Sequence, residues 1–366
     1  MRGGDLMKKK IMMVMLVGMM LVMGVSAEAG WFSKLFGIKE NKEDGKIKIG
    51  FLLKTMQEAR YQKDKKYFID AAYEAGADEV IFGTANNSEK KQMEELKKML
   101  DKGIDILVLQ AVNTSNIGDM MKEIHDAKIQ VISYDSVIMN APIDLHIMQN
   151  SWDVGKIQGE AMIEWFYAVK GEVKGNVVVI KGQPGDTNAN MMTYGAALII
   201  RQNHGLYLVA EVSHENWSPE AAEKTAEKLL LENNNNIDAF ICNNSGMARG
   251  VMKALKKQNL NSIRKVFVAG SDADLENIKS IIKGEQAMEV FKKIKPLAET
   301  AAKVAVKMAK YKKLDPRELF EITKETPNNY KNVPTIVTDV VKVTIDNIED
   351  TVIKDGYYTR EEIYNN

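Results

Sequence analysis

Residues Lys46–Leu53 read KIKIGFLL, Tyr61–Ala75 read YQKDKKYFIDAAYEA and Glu79–Gly83 read EVIFG. The outer two pieces are short apolar runs of strand length, whereas the middle one repeats its apolar residues at three-and-four spacing with charges between them. Gly76 then supplies a helix stop. Strand, helix and strand in that order form a βαβ unit, and its crossover demands parallel strands.

The same alternation continues in both directions from this unit. Ser88–Leu100 (SEKKQMEELKKML) is a second amphipathic helix, stopped by Gly103, and Ile106–Gln110 and Gln130–Tyr134 are further strands. A second series begins after Asn150, with strands expected at Asn176–Ile180, Leu206–Val212, Asp238–Cys242 and Val266–Ala269. Ser218-Pro219-Glu220 opens a helix running to about Leu231, with Ser as N-cap, Pro at the first helical position and an acid at the positive dipole end. Asn233–Asn236 reads as a surface turn, Leu297–Tyr311 as a late helix, and the stretch near Thr335–Val343 as short extended runs crossing between lobes. The expected fold is α/β: two doubly wound parallel-sheet lobes joined by a multi-crossing hinge. The expected boundaries are 46–150 plus about 292–328 for the first lobe, and 151–291 plus about 329–366 for the second.

A chain of 366 residues accommodates two such lobes, and 45% hydrophobic with 27% charged residues is a globular composition. Lys+Arg and Asp+Glu both number 50, so no global field draws the protein to nucleic acid or an anionic membrane. At the N-terminus, Lys8, Lys9 and Lys10 precede an apolar run from Ile11 to Val25 and the small-x-small pattern Ala27-Glu28-Ala29. Residues 1–29 therefore read as a cleaved secretory signal peptide and 30–45 as a leader. A transmembrane anchor is the alternative, but the run is shorter than the ~20 residues of a span. Export places the mature chain in the periplasm or another extracytoplasmic space.

Several chemistries lack their residues. There is no phosphate-binding glycine loop and no G-x-S-x-G elbow, and His125, His146, His204 and His214 have no metal-binding spacing. Cys242 is the only cysteine, which precludes an intrachain disulfide and leaves no cysteine for lipid modification near the cleavage region. No cofactor, no metal and no enzymatic activity are expected, and monomer is the default state.

Ligands of open α/β sheets sit at the carboxyl ends of strands. The loops there carry Arg60, Tyr61, Asp135, Gln149, Asn150, Asp186, Asn188, Asn216, Trp217, Asn243, Asn244, Asp272 and Lys292. Carboxylates, amides and an Arg fork suit hydroxyls that both donate and accept, and aromatic rings suit the C–H faces of a sugar. Each has a plainer reading as well: Arg60 as a helix-start cation, Trp217 as a hydrophobic staple, Lys292 as part of a solvated run with Lys293 and Lys295. Within SDAD, Asp272 is the ligand candidate and Asp274 the helix cap.

The segments KIGFLL, EARYQKDKKYF, VISYDSVI, KGQPGDTNAN, ICNNSGMARGVMKAL, VAGSDADLENIKSI and IEDTVIKDGYY together resemble the D-xylose-binding proteins of the type I periplasmic sugar-binding class, from about Lys46 to Tyr358. The resemblance implies hinged lobes that close on one monosaccharide and then dock on the permease of an ABC importer. It implies that Arg60 grips sugar oxygens, Tyr61 replaces a stacking Trp and Asp135 accepts hydroxyls in the first lobe. Asn188, Trp217 and Asp272 would serve in the second, with Lys292 near a hinge crossing. Three positions depart from the family pattern: Ser136 stands where an Arg is usual, and Gln149 and Asn244 where carboxylates are. These changes leave the sugar open between a xylose-like pentose, a hexose and another polyol. Other readings are a chemotactic or signalling receptor and an exported sugar-active enzyme using Asp135 and Asp272. A repressor sensor domain shares the fold, but an export signal stands where its DNA-binding helices would be. Asp135→Ala and Arg60→Ala are both expected to weaken binding with little loss of fold stability.

Overall fold

The computed structural model describes residues 45–58, 60–312 and 314–365. The expected signal peptide, and all of the leader except Gly45, lie outside the described residues. The first lobe opens with β1 (Lys48–Leu53), α1 (Arg60–Glu74), β2 (Glu79–Thr84), α2 (Glu89–Asp101), β3 (Ile106–Leu109), α3 (Gly118–Asp126), β4 (Gln130–Tyr134) and β5 (Leu145–Gln149). The second lobe follows with α4 (Ser151–Trp165), β6 (Gly175–Lys181), α5 (Thr187–Gln202), β7 (Leu206–Ser213), α6 (Pro219–Glu232), β8 (Ala239–Cys242), α7 (Ser245–Lys257), β9 (Phe267–Ser271), α8 (Leu275–Ile282) and β10 (Met288–Lys292). After α9 (Ile294–Lys310) and the short α10 (Pro316–Leu319) come β11 (Lys324–Pro327), β12 (Asn332–Thr338), β13 (Val340–Val343) and α11 (Arg360–Tyr364).

The strands form two sheets, ordered β11-β12-β5-β4-β3-β1-β2 and β13-β10-β9-β8-β6-β7. Pairing is parallel except for the β11–β12 and β10–β13 edges. β3 and β8 are buried at every residue because helices cover both faces of their sheets, which is why they read as unbroken apolar runs rather than alternating ones. In the second lobe, α4 and α5 approach so closely that a Cβ on Gly155 would fall 1.8 Å from the Met192 carbonyl oxygen. Glycine there lets α5 seat against α4 and fixes the helix start that faces the first lobe.

The chain crosses between sheets three times: from β5 into α4, from β10 into α9, and from β12 into β13. The last crossing falls at Asp339, not near 329 as the sequence suggested. β12 pairs in parallel with β5, from Thr335 opposite His146 to Thr338 opposite Gln149, and so belongs to the first sheet. Its apolar run joins that of β13 through one residue, which left no turn signal to mark the change. β5 and β10 were also not read from the sequence: LHIMQ and MEVFK each mix polar residues into a strand that is buried throughout.

Among the described residues no helix is long and apolar enough to cross a membrane, and no group of His, Cys, Asp and Glu is placed to hold a metal. Cys242 is a buried free thiol in the second lobe's core.

Candidate functional site

The carboxyl ends of the strands in both sheets face one cleft, lined by Lys54, Glu58, Arg60, Tyr61 and Asp135 from the first lobe and Asn188, Met192, Trp217, Asn244, Asp272 and Lys292 from the second lobe and hinge. Arg60 opens α1, and Tyr61 follows it with its ring 5.1 Å from the guanidinium carbon. The guanidinium is 3% exposed and holds three carboxylates: its Nε donates to Asp64 Oδ2 at 3.2 Å, Nη2 lies 3.4 Å from Asp135 Oδ2, and Nη1 lies 3.9 Å from Asp272 Oδ1 across the cleft. Asp64 is held from behind by the Tyr134 hydroxyl.

Asp135 follows β4 and accepts from Gln110 Nε2 at 2.9 Å. Burial works against its charge, but Arg60, Lys292 and Lys54 outweigh it and keep the carboxyl below its ordinary range. Asp272 follows β9, and its Oδ1 is 3.0 Å from Lys292 Nζ at the end of β10. Lys292 is therefore a buried pocket lysine, not part of an exposed charge run. Asp274 stands at the N-cap of α8, yet its carboxylate accepts from Arg249 at 2.8 Å and makes no cap bond.

Asp135, Trp217 and Asp272 sit on backbone with φ of 64°, 54° and 118°. Side chains other than glycine occupy this region at a cost of order 1–3 kcal/mol each, and such residues concentrate at functional sites. Trp217 stands in a turn before α6, and its ring packs so tightly over Gly182 that a Cβ there would lie 2.3 Å from ring carbon Cζ3. Of the two readings of Trp217, the structure gives the cleft wall. Asn244 caps α7 by accepting from the Met247 amide at 2.7 Å, which leaves its NH2 group available. Asn188 lies in the first turn of α5, whose N-cap is Asp186.

Of the expected residues, Gln149, Asn150, Asp186, Asn216 and Asn243 do not line the cleft. Gln149 ends β5 with both side-chain polar atoms buried and unpaired, and Asn150 turns to the start of α4, where its amide donates to Asp153 at 2.5 Å beside a separate surface groove. The chain passes into the second lobe at this point, so the strand end does not continue into a cleft loop.

Three cleft residues were not read from the sequence: Lys54, Glu58 and Met192. Lys54 immediately follows β1, and its ammonium meets Asp186 Oδ2 of the second lobe at 2.7 Å and stands 4.9 Å from the centre of the Trp217 ring. Burial opposes its charge but Asp186 overcomes it, so Lys54 stays protonated. Ser136 Oγ lies 3.4 Å from the other oxygen of Asp186. Ser136 brings no cation, and Lys54 stands at the same Asp186 carboxylate. Glu58 supplies a further carboxyl, which burial pushes up to about 7 despite Lys54. The rule that ligands face strand ends already pointed to Lys54, but its lack of any motif hid it.

The lobes meet at the rim as well. Thr114 Oγ1 donates to the Gly185 carbonyl at 2.8 Å and accepts from the Thr187 amide at 3.2 Å, and Thr187 Oγ1 donates to the Val137 carbonyl at 3.2 Å. The conformation is closed, with a cavity of only about 10 Å³ between the walls, far below the ~300–1,000 Å³ usual for small-molecule sites. Buried Arg60 Nη2, Trp217 Nε1 and Asp272 Oδ1 make no hydrogen bond within the protein. Two donors, an acceptor and two aromatic rings thus surround a space that opens only when the lobes part.

Hinged α/β lobes with polar and aromatic groups converging between them define a solute-binding protein. The chain belongs to the periplasmic binding protein domain family, whose model matches residues 49–313. It is 34% identical to the D-xylose-binding periplasmic protein of Haemophilus influenzae, across 87% of this chain and 92% of that one. The Escherichia coli D-xylose-binding periplasmic protein is 33% identical over the same shares. A Clostridium phytofermentans ABC transporter solute binding protein with bound beta-D-glucose superposes with a TM-score of 0.76 at 26% identity, covering 86% of this chain and 99% of that one. The resemblance seen in the sequence is borne out, and the relatives are periplasmic solute-binding proteins, not enzymes.

Proposed function

We propose that the chain captures one monosaccharide, a xylose-like pentose or a closely related sugar, between its lobes outside the cytoplasm and delivers it to an ABC import permease. The observation that carries this reading is the convergence from both lobes of Arg60, Asp135, Asp272 and Lys292 with the Tyr61 and Trp217 rings. Arg60 Nη2, Trp217 Nε1 and Asp272 Oδ1, which make no hydrogen bond within the protein, suit hydroxyls, and the rings suit an apolar sugar face. A ligand touching both walls favours the closed state, which is the form an importer would engage. Relatives that bind D-xylose support the pentose, and the bound glucose of a more distant one keeps hexoses in the test.

Titration calorimetry of the exported chain against D-xylose, L-arabinose, D-glucose and myo-inositol tests this. The expected result is binding of D-xylose at micromolar Kd or tighter. Preference for another sugar of the panel reassigns specificity, and no heat with any of them removes the reading.

The packing of Trp217 over Gly182 gives a second expectation. Gly182→Ala forces the indole out of its seat, at an overpacking cost of about 1–3 kcal/mol. Sugar affinity falls about two- to tenfold if half of that cost is felt in the complex. Calorimetry on the variant checks it, and unchanged affinity would remove Trp217 from the site.

A further inference from the structure

Behind the second-lobe wall lies a carboxyl that the cleft does not use. Glu289 in β10 is 0% exposed, and among the described residues no cation stands within ion-pair distance of it. Its Oε2 accepts from Ser245 Oγ at 2.8 Å and from the Ala273 amide at 3.1 Å, while Oε1 accepts from Gln286 Nε2 at 2.6 Å. Burial pushes the carboxyl up to about 8. A buried carboxyl without a cation is costly, so its surroundings should explain what it holds.

The two main-chain segments that it grips are those carrying Asn244 and Asp272. Ser245 adjoins Asn244, and its hydroxyl also reaches the Ser271 carbonyl at 3.2 Å and receives the Asp274 amide at 3.3 Å. Ser271 Oγ in turn donates to the Asn243 carbonyl at 2.7 Å. Ala273 adjoins Asp272, and both residues have positive φ, 56° and 118°, a conformation that must be held from outside. Gly270 leaves the room, since a Cβ there would fall 2.0 Å from Glu289 Oε1. β10 therefore meets the Asp272 loop twice, at its backbone through Glu289 and at its carboxylate through Lys292.

We propose that Glu289 is a positioning residue that ties the Asn243–Ser245 and Ser271–Asp274 loops into one unit and so sets where Asn244 and Asp272 meet the ligand; its role in binding rests on the sugar-capture reading. Hydrogen–deuterium exchange of the ligand-free chain reads the tie without any sugar. Losing one or two of these hydrogen bonds in Glu289→Ala is expected to speed exchange about tenfold in peptides spanning both loops. Glu289→Gln retains an acceptor for Ser245 and Ala273, and is expected to restore slow exchange. Unchanged exchange in Glu289→Ala overturns the proposal. Should that variant not fold, Ser245→Ala cuts the same tie and is judged by the same criterion.

The binding arm uses D-xylose as its probe in a double-mutant cycle. Glu289→Ala is expected to weaken Kd about tenfold in the otherwise natural chain, but less than about threefold where Asp272→Ala has already removed the group it positions. Equal losses in both backgrounds overturn the positioning role. Failure of the natural chain to bind D-xylose counts against the sugar assignment, and the exchange arm then decides the proposal alone.

Discussion

Arg60→Ala loses both sugar binding and fold stability. The expectation from sequence was weakened binding with little loss of fold stability, with Arg60 gripping sugar oxygens. In the structure, Arg60 is the cation shared by Asp64 and Asp135, which are 0% and 4% exposed. Asp64 is pushed up by burial even with Arg60 present, and Asp135 stays below its ordinary range only because Arg60 leads the cations opposing burial. Removing one partner of a buried ion pair typically costs about 3–5 kcal/mol because the charge left behind has no water. Chemical denaturation should show a loss of this order, and calorimetry should show no measurable sugar binding. Asp135→Ala provides the contrast: Arg60 keeps Asp64, so the expected change is mainly in affinity. Natural-like stability in Arg60→Ala would mean that the web is solvated and does not hold this wall.

Lys54→Met acts on closure rather than on folding. The Lys54–Asp186 pair spans the cleft, and each side chain is almost fully buried only while the lobes are together. In the closed state the variant leaves Asp186 without its cation, at a cost of about 3–5 kcal/mol, which opening relieves by returning the carboxylate to water. The closed population therefore falls by roughly 10²-fold or more, and apparent sugar affinity falls with it. Small-angle scattering of the ligand-free variant should show a larger radius of gyration than that of the natural chain, while thermal stability changes little. An unchanged radius together with unchanged affinity would show that the pair does not contribute to closure. Lys54 thereby supplies charge to the cleft and a latch between the lobes, although Ser136 had suggested a missing cation.

The fold was legible because its strands are flanked by covering helices and stops such as Gly76 and Gly103. What hid β5, β10 and the Asp339 crossing was local: polar residues in buried strands, and two strands of different sheets joined through one residue. The cleft was legible where a residue both followed a strand and belonged to a matching segment, as with Arg60, Asp135 and Asp272. Gln149 and Asn150 followed a strand too, but the chain leaves the first lobe there. Lys54 and Glu289 carried no motif; their roles come from partners far off in sequence, Asp186 for Lys54 and Ser245 and Ala273 for Glu289.

Under the sugar-capture proposal, one sugar is held between the walls that now meet across the cleft. A co-crystal structure with the tightest-binding sugar of the panel tests it most directly. The predicted result is a single ring in contact with Trp217, its hydroxyls within hydrogen-bond distance of Arg60, Asp135 and Asp272, with Arg60 and Asp272 separated beyond their present 3.9 Å. Density for the sugar on an outer surface, with this cleft still closed on itself, would contradict the account.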